Sequence, residues 1–509
     1  MIPLPTHPAG GSRGFPSQAG GAYGALSMDA MDLLTAPDAE LARLVLQRGT
    51  ALVYLLAFVS TLRQFPALLG EHGLLPVPAF LRFARPGPTL FRWRYSDRLL
   101  RIVCVAGIVV AALLVLGLPQ RGPDWLPMIA FLALYGLYLS VVHVGQTFYG
   151  FGWEMLLCEA GFTVAFLGSD ASPPPRLILI ATLWLVFRLE FGAGLIKLRG
   201  DPAWRDLTAL YYHHETQPMP NPLSRTAHLA PAWWHRLEVI GNHIAQLIAP
   251  ILLFFPQPIA SIAGVVMILT QGWLIVTGNF AWLNLLTIVL GCAALGDQAV
   301  HAVLPFVPVD LHRSAGLPLY WLVLTTLVAA GLLVLAYRPA RNLLSSHQLM
   351  NAGFNRWYLG NAYGAFGSVT RQRDEVVIEG STEPIPDEGD WREYQFYGKP
   401  GEVDRRPPQV APYHLRLDWL LWFVPLGAAR APWFAALLLH LLEADPRILR
   451  FVRVDPFAGQ RPTLIRVRMF RYRFATRAEH RADGAFWVRR PLYTLVPPTR
   501  AEQLRRALR

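Results

Sequence analysis

The feature that most constrains this chain is a series of long apolar runs. The run IVCVAGIVVAALLVLGLP, residues 102–119, holds no charged side chain over 18 positions. About 20 residues at a rise of 1.5 Å each span the hydrocarbon of a bilayer, so such a run predicts a transmembrane helix. Only 16% of the 509 residues are charged, whereas an average soluble protein carries about 25%. The sequence therefore predicts an integral membrane protein.

Nine stretches of this kind predict an α-helical polytopic transmembrane domain of about nine spans. The Pro-Gln-Pro break at 256–258 and the Gly-Asn pair at 278–279 predict tight turns between packed helices. Two polar connections, 65–98 and 199–237, are rich in Trp, Tyr, Arg and Pro and predict an interfacial cap on the membrane. The nine stretches are 45–62, 100–118, 125–144, 148–168, 176–198, 238–256, 258–278, 280–296 and 317–337.

The character of the chain changes after residue 338. Charge density becomes ordinary, and TLIRVRMFRYRF alternates apolar residues such as Val467 with basic residues such as Arg466 and Arg468, which is the period of a strand. The stretches LDWLLWFVPLG and PWFAALLLHLL are too short to cross a bilayer and predict helices packed on this domain or lying on the membrane. We therefore expect a β-rich (α+β) soluble C-terminal domain. The predicted organisation is a disordered lead at 1–40, the transmembrane domain at 41–338 and the C-terminal domain at 339–509.

The net charge and the short sequence motifs limit the classes of function that this chain could have. The net charge of +12 is better explained by basic loops at anionic lipid headgroups than by nucleic acid, so membrane lipids are expected partners and nucleic acid is not. Each of the three cysteines lies in an apolar run, which leaves no disulfide framework and no CxxC clasp. Phosphate-binding GxxxxGK[ST] and HExxH motifs are absent from the sequence. No cofactor is predicted.

The stretch LYYHHETQPMPNPLS, residues 210–224, resembles a metal-binding or catalytic segment because His213, His214 and Glu215 are adjacent. On a helix three consecutive residues point in three directions, and zinc needs three or four convergent ligands. The prolines that follow restrict φ and disfavour a helix here. We therefore predict an ordered, hydrogen-bonded interfacial loop and no metal site.

A second polar group lies within the apolar stretches. Charge at bilayer depth costs about 2.5–3.5 kcal/mol, so such residues face the bundle interior and pair. Glu154 and Glu159 are natural partners for Arg188, whereas Glu190 and Lys197 share a helix face two turns apart, about 10.5 Å, and do not pair directly.

The predicted intramembrane polar cluster comprises His143, Glu154, Glu159, Arg188 and Glu190, and Lys197 is the candidate catalytic residue beside it. Two interpretations stay open. The cluster is either a buried network that fixes helix register, with interhelical hydrogen bonds around His143, or a site in which partly desolvated Lys197 takes a proton as a general base.

Several long stretches resemble the lipase maturation factor family, over about residues 45–500. The resemblance implies a polytopic membrane factor that helps secreted lipases reach their active, often dimeric form, in animals within the endoplasmic reticulum membrane. The Arg-, Ala- and Leu-rich composition is typical of a high-GC bacterial coding sequence, so we expect the bacterial inner membrane and leave the client open. The stretches are FVSTLRQFPALLGEHGLLPVPAFL, HVGQTFYGFGWEMLLCEAGF, FGAGLIKLRGDPAWRDLTALYYHHETQPMPNPLS, GNFAWLNLLTIVLGCAALGD, NAYGAFGSVTRQRDEVVIEG, EYQFYGKPGEVDRRPPQVAPYHLRLDWLLWF and FWVRRPLYTLVPPTR.

A shorter segment, AGLIKLRGDPAW, is similar to the region around the catalytic lysine of vitamin K-dependent γ-carboxylase. This likeness implies either that Lys197 acts as a base toward a hydroquinone or that it is a retained scaffold lysine.

The function we expect is a membrane-embedded maturation factor or chaperone whose partners are exported proteins, lipases by the family resemblance. The alternative is a membrane enzyme acting on a quinone or lipid-like substrate with Lys197 as general base, and a third possibility is a purely structural membrane subunit. The positive-inside rule places the C-terminal domain in the cytoplasm, whereas the family resemblance places it on the opposite side.

Overall fold

Apolar helices dominate the first two thirds of the chain. The computed structural model describes residues 34–306 and 316–508, so the predicted disordered lead lies outside the described residues up to residue 33. The helices up to residue 344 are, in chain order, α1 (Glu40–Leu68), α2 (Val77–Phe83), α3 (Asp97–Val115), α4 (Trp125–Val144), α5 (Gly152–Val164), α6 (Arg176–Arg199), α7 (Pro202–Arg205), α8 (Leu210–Thr216), α9 (Ser224–His228), α10 (Ala232–His243), α11 (Ala249–Leu252), α12 (Ile259–Thr277), α13 (Leu283–Gly291), α14 (Asp297–Val303) and α15 (Leu319–Leu344).

Six of the described helices are long and apolar enough to cross a membrane: α1, α3, α4, α6, α12 and α15. A seventh crossing results if the bent pair Leu283–Ala294 and Asp297–Val303, which turns through 105°, counts as one span. The predicted fold class, a helical membrane domain followed by a β-rich domain, is confirmed, and the protein is an integral membrane protein.

The predicted number of about nine spans is too high for the described chain. The stretch 148–168 forms only α5, whose 13 residues rise about 20 Å, less than the roughly 30 Å of hydrocarbon. The stretch 238–256 is broken by a π-turn at Ile244–Ile248 and carries Glu238 and Gln246. That stretch is not among the six span-length helices of the described chain.

The two long polar connections contain short helices. The first holds α2, and the second holds α7 to α10. The expected loop around His213, His214 and Glu215 is therefore wrong in one respect, because these residues lie on α8. Proline disfavours a helix at and just before its own position, and α8 ends at Thr216, two residues before Pro218.

The C-terminal part contains a four-stranded antiparallel sheet in the order β2-β1-β5-β6 and a two-stranded sheet of β3 and β4. Val467 lies opposite Ile378 on β1 and is buried, whereas Arg466 and Arg468, on the other face, both bind the carboxylate of Glu379. The predicted alternation is confirmed for this strand. The strands are β1 (Arg373–Ser381), β2 (Arg392–Glu393), β3 (Gln395–Phe396), β4 (Val452–Val454), β5 (Leu464–Phe474) and β6 (Trp487–Thr499).

The two short apolar stretches of this part form helices, as predicted. Trp433, Phe434, Leu437 and Leu441 on the second of them are buried in a hydrophobic core that continues from the membrane bundle into the sheet. The helices here are α16 (Arg416–Leu421), α17 (Pro432–Leu442), α18 (Pro446–Leu449), α19 (Arg477–Asp483) and α20 (Ala501–Ala507).

A buried arginine joins the two parts of the protein. Arg416, at the start of α16, is fully buried, and its Nη1 donates to Glu154 Oε1 on α5 at 2.7 Å and to the carbonyl oxygen of Phe148 at 2.7 Å. The guanidinium also lies 3.5 Å from the ring centre of Tyr149. Glu154 is itself fully buried, so each charge is compensated by the other part of the chain.

Two further contacts hold the C-terminal part on the bundle. Arg373 on β1 donates to the carbonyl oxygens of Glu215 at 2.8 Å and Pro218 at 3.1 Å, which lie in the second connection. Asn279, in the turn after α12, accepts the backbone N–H groups of Val410 and Ala411, each at 2.8 Å. The domain is therefore fixed at several points along the bundle.

We expect Arg416→Met to lower the free energy of unfolding by about 3–5 kcal/mol, because it leaves the Glu154 carboxylate buried without its partner. The matched control is Arg505→Met, whose side chain is 52% exposed and whose partner Glu443 is 34% exposed; we expect a change below about 1 kcal/mol. Thermal denaturation in detergent measures both. Equal shifts for the two variants would contradict the importance of the buried pair.

Candidate functional site

The predicted pairing of Arg188 with span four is made through Glu159. Arg188 Nη2 lies 2.5 Å from Glu159 Oε1, and both side chains are buried. The same carboxylate accepts the backbone N–H of Gly360 at 2.9 Å, the backbone N–H of Asn361 at 3.2 Å and the hydroxyl of Tyr363 at 2.7 Å. Glu159 therefore binds the segment that follows the last span.

Glu154 does not bind Arg188. Its carboxylate binds Arg416, as described above, and accepts the hydroxyl of Tyr138 on α4. The two glutamates of α5 are five residues apart, so they point to different neighbours and hold two different C-terminal segments.

Lys197 and Glu190 are linked through a third residue. Lys197 Nζ donates to Gln246 Oε1 at 2.8 Å and to Asn242 Oδ1 at 2.9 Å, and the Gln246 amide donates to Glu190 Oε2 at 3.0 Å. The ammonium also lies 4.6 Å from the ring centre of Trp204. The two charges of α6 do not touch each other, and both are bound through the helical run that contains α10.

His143 lies apart from the other members of the predicted cluster. Its Nε2 is 2.8 Å from the carbonyl oxygen of Arg356, and its ring stacks on Tyr358 at 5.0 Å between centroids. It therefore contacts the segment after α15 at the end of α4, away from Lys197 and its partners.

The three adjacent residues of α8 point in different directions, as expected for neighbours on a helix. His213 packs edge-on against Phe366 with ring centres 4.8 Å apart, and burial lowers its pKa to about 3. Glu215 Oε2 accepts the backbone N–H of Phe474 on β5 at 2.7 Å. His214 points toward α10, where its Nε2 lies 3.6 Å from Glu238 Oε2.

The His214 contact belongs to a group that sequence reasoning missed. His214, His235 and Glu238 bring one ligand atom each to within 4.8 Å of one another and are the residues of the described chain that could hold a metal ion. The available signal was the spacing of His235 and Glu238, since residues three apart share one face of a helix. Their convergence with His214 required the packing of α8 on α10.

A cavity of about 700 Å³ lies between the bundle and the C-terminal domain. Neither Lys197 nor Glu154 lines it, and both are bound by protein groups. Its walls come from the end of α1, the start of α3 and the C-terminal part, and comprise Leu62, Arg63, Gln64, Pro66, Asp97, Leu100, Arg101, Tyr397, Tyr413, Leu415, Arg450 and Phe451.

His414, two residues before Arg416, is enclosed by four aromatic rings. The ring centres of Phe151, Trp153, Trp282 and Trp419 lie 5.5, 5.1, 6.0 and 5.8 Å from that of His414. Both ring nitrogens are buried without a hydrogen-bond partner in the part of the chain that the structure describes. Burial, and then the charge of Arg416, lower the pKa of His414 well below its usual value, so the imidazole is neutral in the folded protein.

This environment predicts a loss of stability in acid. An unfolded histidine takes up a proton near pH 6.5, so below that pH the unfolded state binds more protons than the folded one and stability falls. We expect His414→Phe to reduce the fall in Tm between about pH 7.5 and pH 5, because phenylalanine fills the same site without titrating. The control is the exposed His72→Phe, whose pH profile should match that of the parent. An unaltered profile in His414→Phe would contradict the assignment.

Comparison with known proteins gives the family. The family model for the lipase maturation factor transmembrane domain matches residues 41–302, and that for the lipase maturation factor C-terminal domain matches residues 359–497. The chain is 36% identical to lipase maturation factor 1 of Homo sapiens, over 91% of this chain and 89% of that protein. It is also 36% identical to lipase maturation factor 1 of Bos taurus, over 91% and 90% of the two chains.

Lipase maturation factor 2 of Homo sapiens is 29% identical, over 92% of this chain and 84% of its own length. No solved structure matches. The resemblance drawn from the residues is confirmed, and both the transmembrane and the C-terminal parts carry it. The chain belongs to the lipase maturation factor family.

Proposed function

We propose that this protein is a membrane-embedded maturation factor that assists the folding or assembly of exported proteins, with lipases as the client class and the bacterial inner membrane as its location. The observation that carries the proposal is the family match through both parts of the chain. The relatives are named for maturation, not for catalysis.

The geometry supports a client-facing side of the molecule. Gln64, near the end of α1, donates to the carbonyl oxygen of His414 at 2.6 Å, and Arg225 of the second connection donates to the carbonyl oxygen of Ala475 at 2.8 Å. The end of α1, where the first connection begins, and the second connection therefore both contact the C-terminal domain. We propose that this contact region receives the client.

Large apolar side chains are exposed in these segments. Phe83 and Trp93 of the first connection are 92% and 89% exposed, and Ile385 of the C-terminal domain is 90% exposed. A partly folded protein exposes apolar surface that aggregates unless it is covered. Apolar side chains beside a membrane offer such a client a temporary contact.

The charged groups within the bundle support a structural role for the bundle itself. Glu154, Glu159 and Arg188 bind C-terminal segments or one another, and Lys197 binds two amide side chains. We propose that Lys197 fastens α6 to the helical run that contains α10, and that it does not act as a base.

Deleting the gene should lower the activity of exported lipases without lowering the amount of lipase polypeptide synthesised. The reason is that unassisted molecules leave the folding pathway by aggregation after synthesis. Lipase activity and lipase mass in the exported fraction give the specific activity, and re-expression of the chain should restore it. An exported non-lipase enzyme serves as the control. Unchanged specific activity of every exported lipase would contradict the proposal.

We expect Lys197→Met to lower the free energy of unfolding by about 2–4 kcal/mol, because one buried and one partly buried amide oxygen lose a charged donor. The amount of protein in the membrane should fall, and lipase maturation per molecule should be retained. Arg199→Met, an exposed change two residues away, is the control. Normal stability with complete loss of maturation would show instead that Lys197 carries out chemistry.

A further inference from the structure

Three side chains on two different helices, α8 and α10, converge in the second connection. His235 and Glu238 lie one turn apart on α10, and His214 approaches them from α8. The side chains of His214, His235 and Glu238 are 4%, 3% and 7% exposed. Two imidazoles and one carboxylate in a site closed to water are an uncommon set for a packed interior.

The hydrogen bonds around this group orient its ligand atoms inward. His235 Nε2 lies 3.2 Å from the carbonyl oxygen of His228, and a carbonyl can only accept, so this nitrogen carries the proton. Glu238 Oε1 accepts the indole N–H of Trp273 on α12 at 2.8 Å. The remaining atoms, His235 Nδ1 and Glu238 Oε2, face each other at 3.2 Å. When Nε2 carries the only proton of the ring, both atoms are lone-pair donors, and their contact needs either a second ring proton or a metal ion between them.

His214 supplies an independent observation. Its Nε2 is buried and has no hydrogen-bond partner among the described residues. The nitrogen lies 3.6 Å from the same Glu238 oxygen. A buried polar atom without a partner costs about 1–3 kcal/mol, so an unpaired imidazole nitrogen aimed at a carboxylate calls for a ligand.

Two of the three ligand separations fit a tetrahedral metal ion. Ligand atoms about 2.0–2.2 Å from zinc at tetrahedral angles lie roughly 3.3 Å from one another. The two separations from Glu238 Oε2 are 3.2 Å and 3.6 Å, and the group as a whole lies within 4.8 Å. The bonds from His235 to a carbonyl and from Trp273 to the carboxylate match the outer contacts that orient metal ligands in proteins.

We propose that His214, His235 and Glu238 bind one divalent transition-metal ion of the zinc class. Two imidazoles and a carboxylate suit zinc, and the same ligand set also binds ferrous iron, so the shared chemistry is a first-row divalent metal. The three protein ligands leave a further coordination position for a small ligand such as water.

The ion would hold together α8 and α10, which lie beside the C-terminal domain. It joins α8 to α10, and through Trp273 it reaches the end of α12. The residue next to His214, Glu215, binds the backbone of Phe474 on β5. Metal binding at this point fixes the position of α8 relative to the sheet. The inference does not depend on the client or on the maturation role.

The test uses the full chain, purified in detergent through an affinity tag that contains no histidine, without added metal or chelator. Elemental analysis should find about one zinc or iron ion per chain. His214→Gln, His235→Gln and Glu238→Gln should each lose it. His243→Gln is the matched control, because His243 lies on the same helix and its Nε2 binds the carbonyl of Trp204, outside the group.

A second measurement keeps the proposal testable if a variant does not fold. Chelator-treated parent protein should take up Zn²⁺, Fe²⁺ or Co²⁺, and its Tm should rise with added metal because the ion binds only the folded state. Elemental analysis decides between zinc and iron. Parent protein that holds no metal and takes none up overturns the proposal, as does metal that persists in folded Glu238→Gln or disappears equally from His243→Gln.

Discussion

The structure depends on charges that are buried and must find their partners within the protein. Arg416 and Glu154 are both fully buried, and neither can reach water to recover the hydration it lost. Removing either partner leaves the other charge buried without compensation. The ion pair therefore fixes the position of α16 on α5. The aromatic ring of Tyr149 and the carbonyl of Phe148 also contact the guanidinium. The C-terminal domain is thereby a part of the bundle's packing.

The same constraint repeats along the interface. Glu159 gathers the segment 360–363 with an arginine from α6, Arg373 binds the carbonyl oxygens that follow α8, and Asn279 binds the turn that contains Val410. Each contact satisfies polar groups that would be costly to bury alone. Together they fix the second connection, the sheet and the bundle to one another.

Much of the fold follows from the sequence for local reasons. Apolar runs of span length predict membrane helices, and the alternation around Val467 predicts the strand β5 with its buried and its charged face. The number of spans was overestimated because hydropathy does not distinguish a helix that crosses the bilayer from one buried among other helices. α5 is short and almost wholly buried, so its apolar surface faces protein. The helix α8 was missed because the influence of the prolines was extended too far back along the chain.

The sequence by itself determined that the chain inserts in a membrane, that a β-rich module follows, and that charged residues in the apolar runs must be paired. Only the tertiary structure decided the partners. Glu154 meets Arg416, 262 residues further along the chain, and not Arg188. His214 meets His235 and Glu238, which lie on another helix. The physical reason is that helical periodicity fixes the face on which a side chain lies, whereas the packing of distant elements fixes what lies opposite that face.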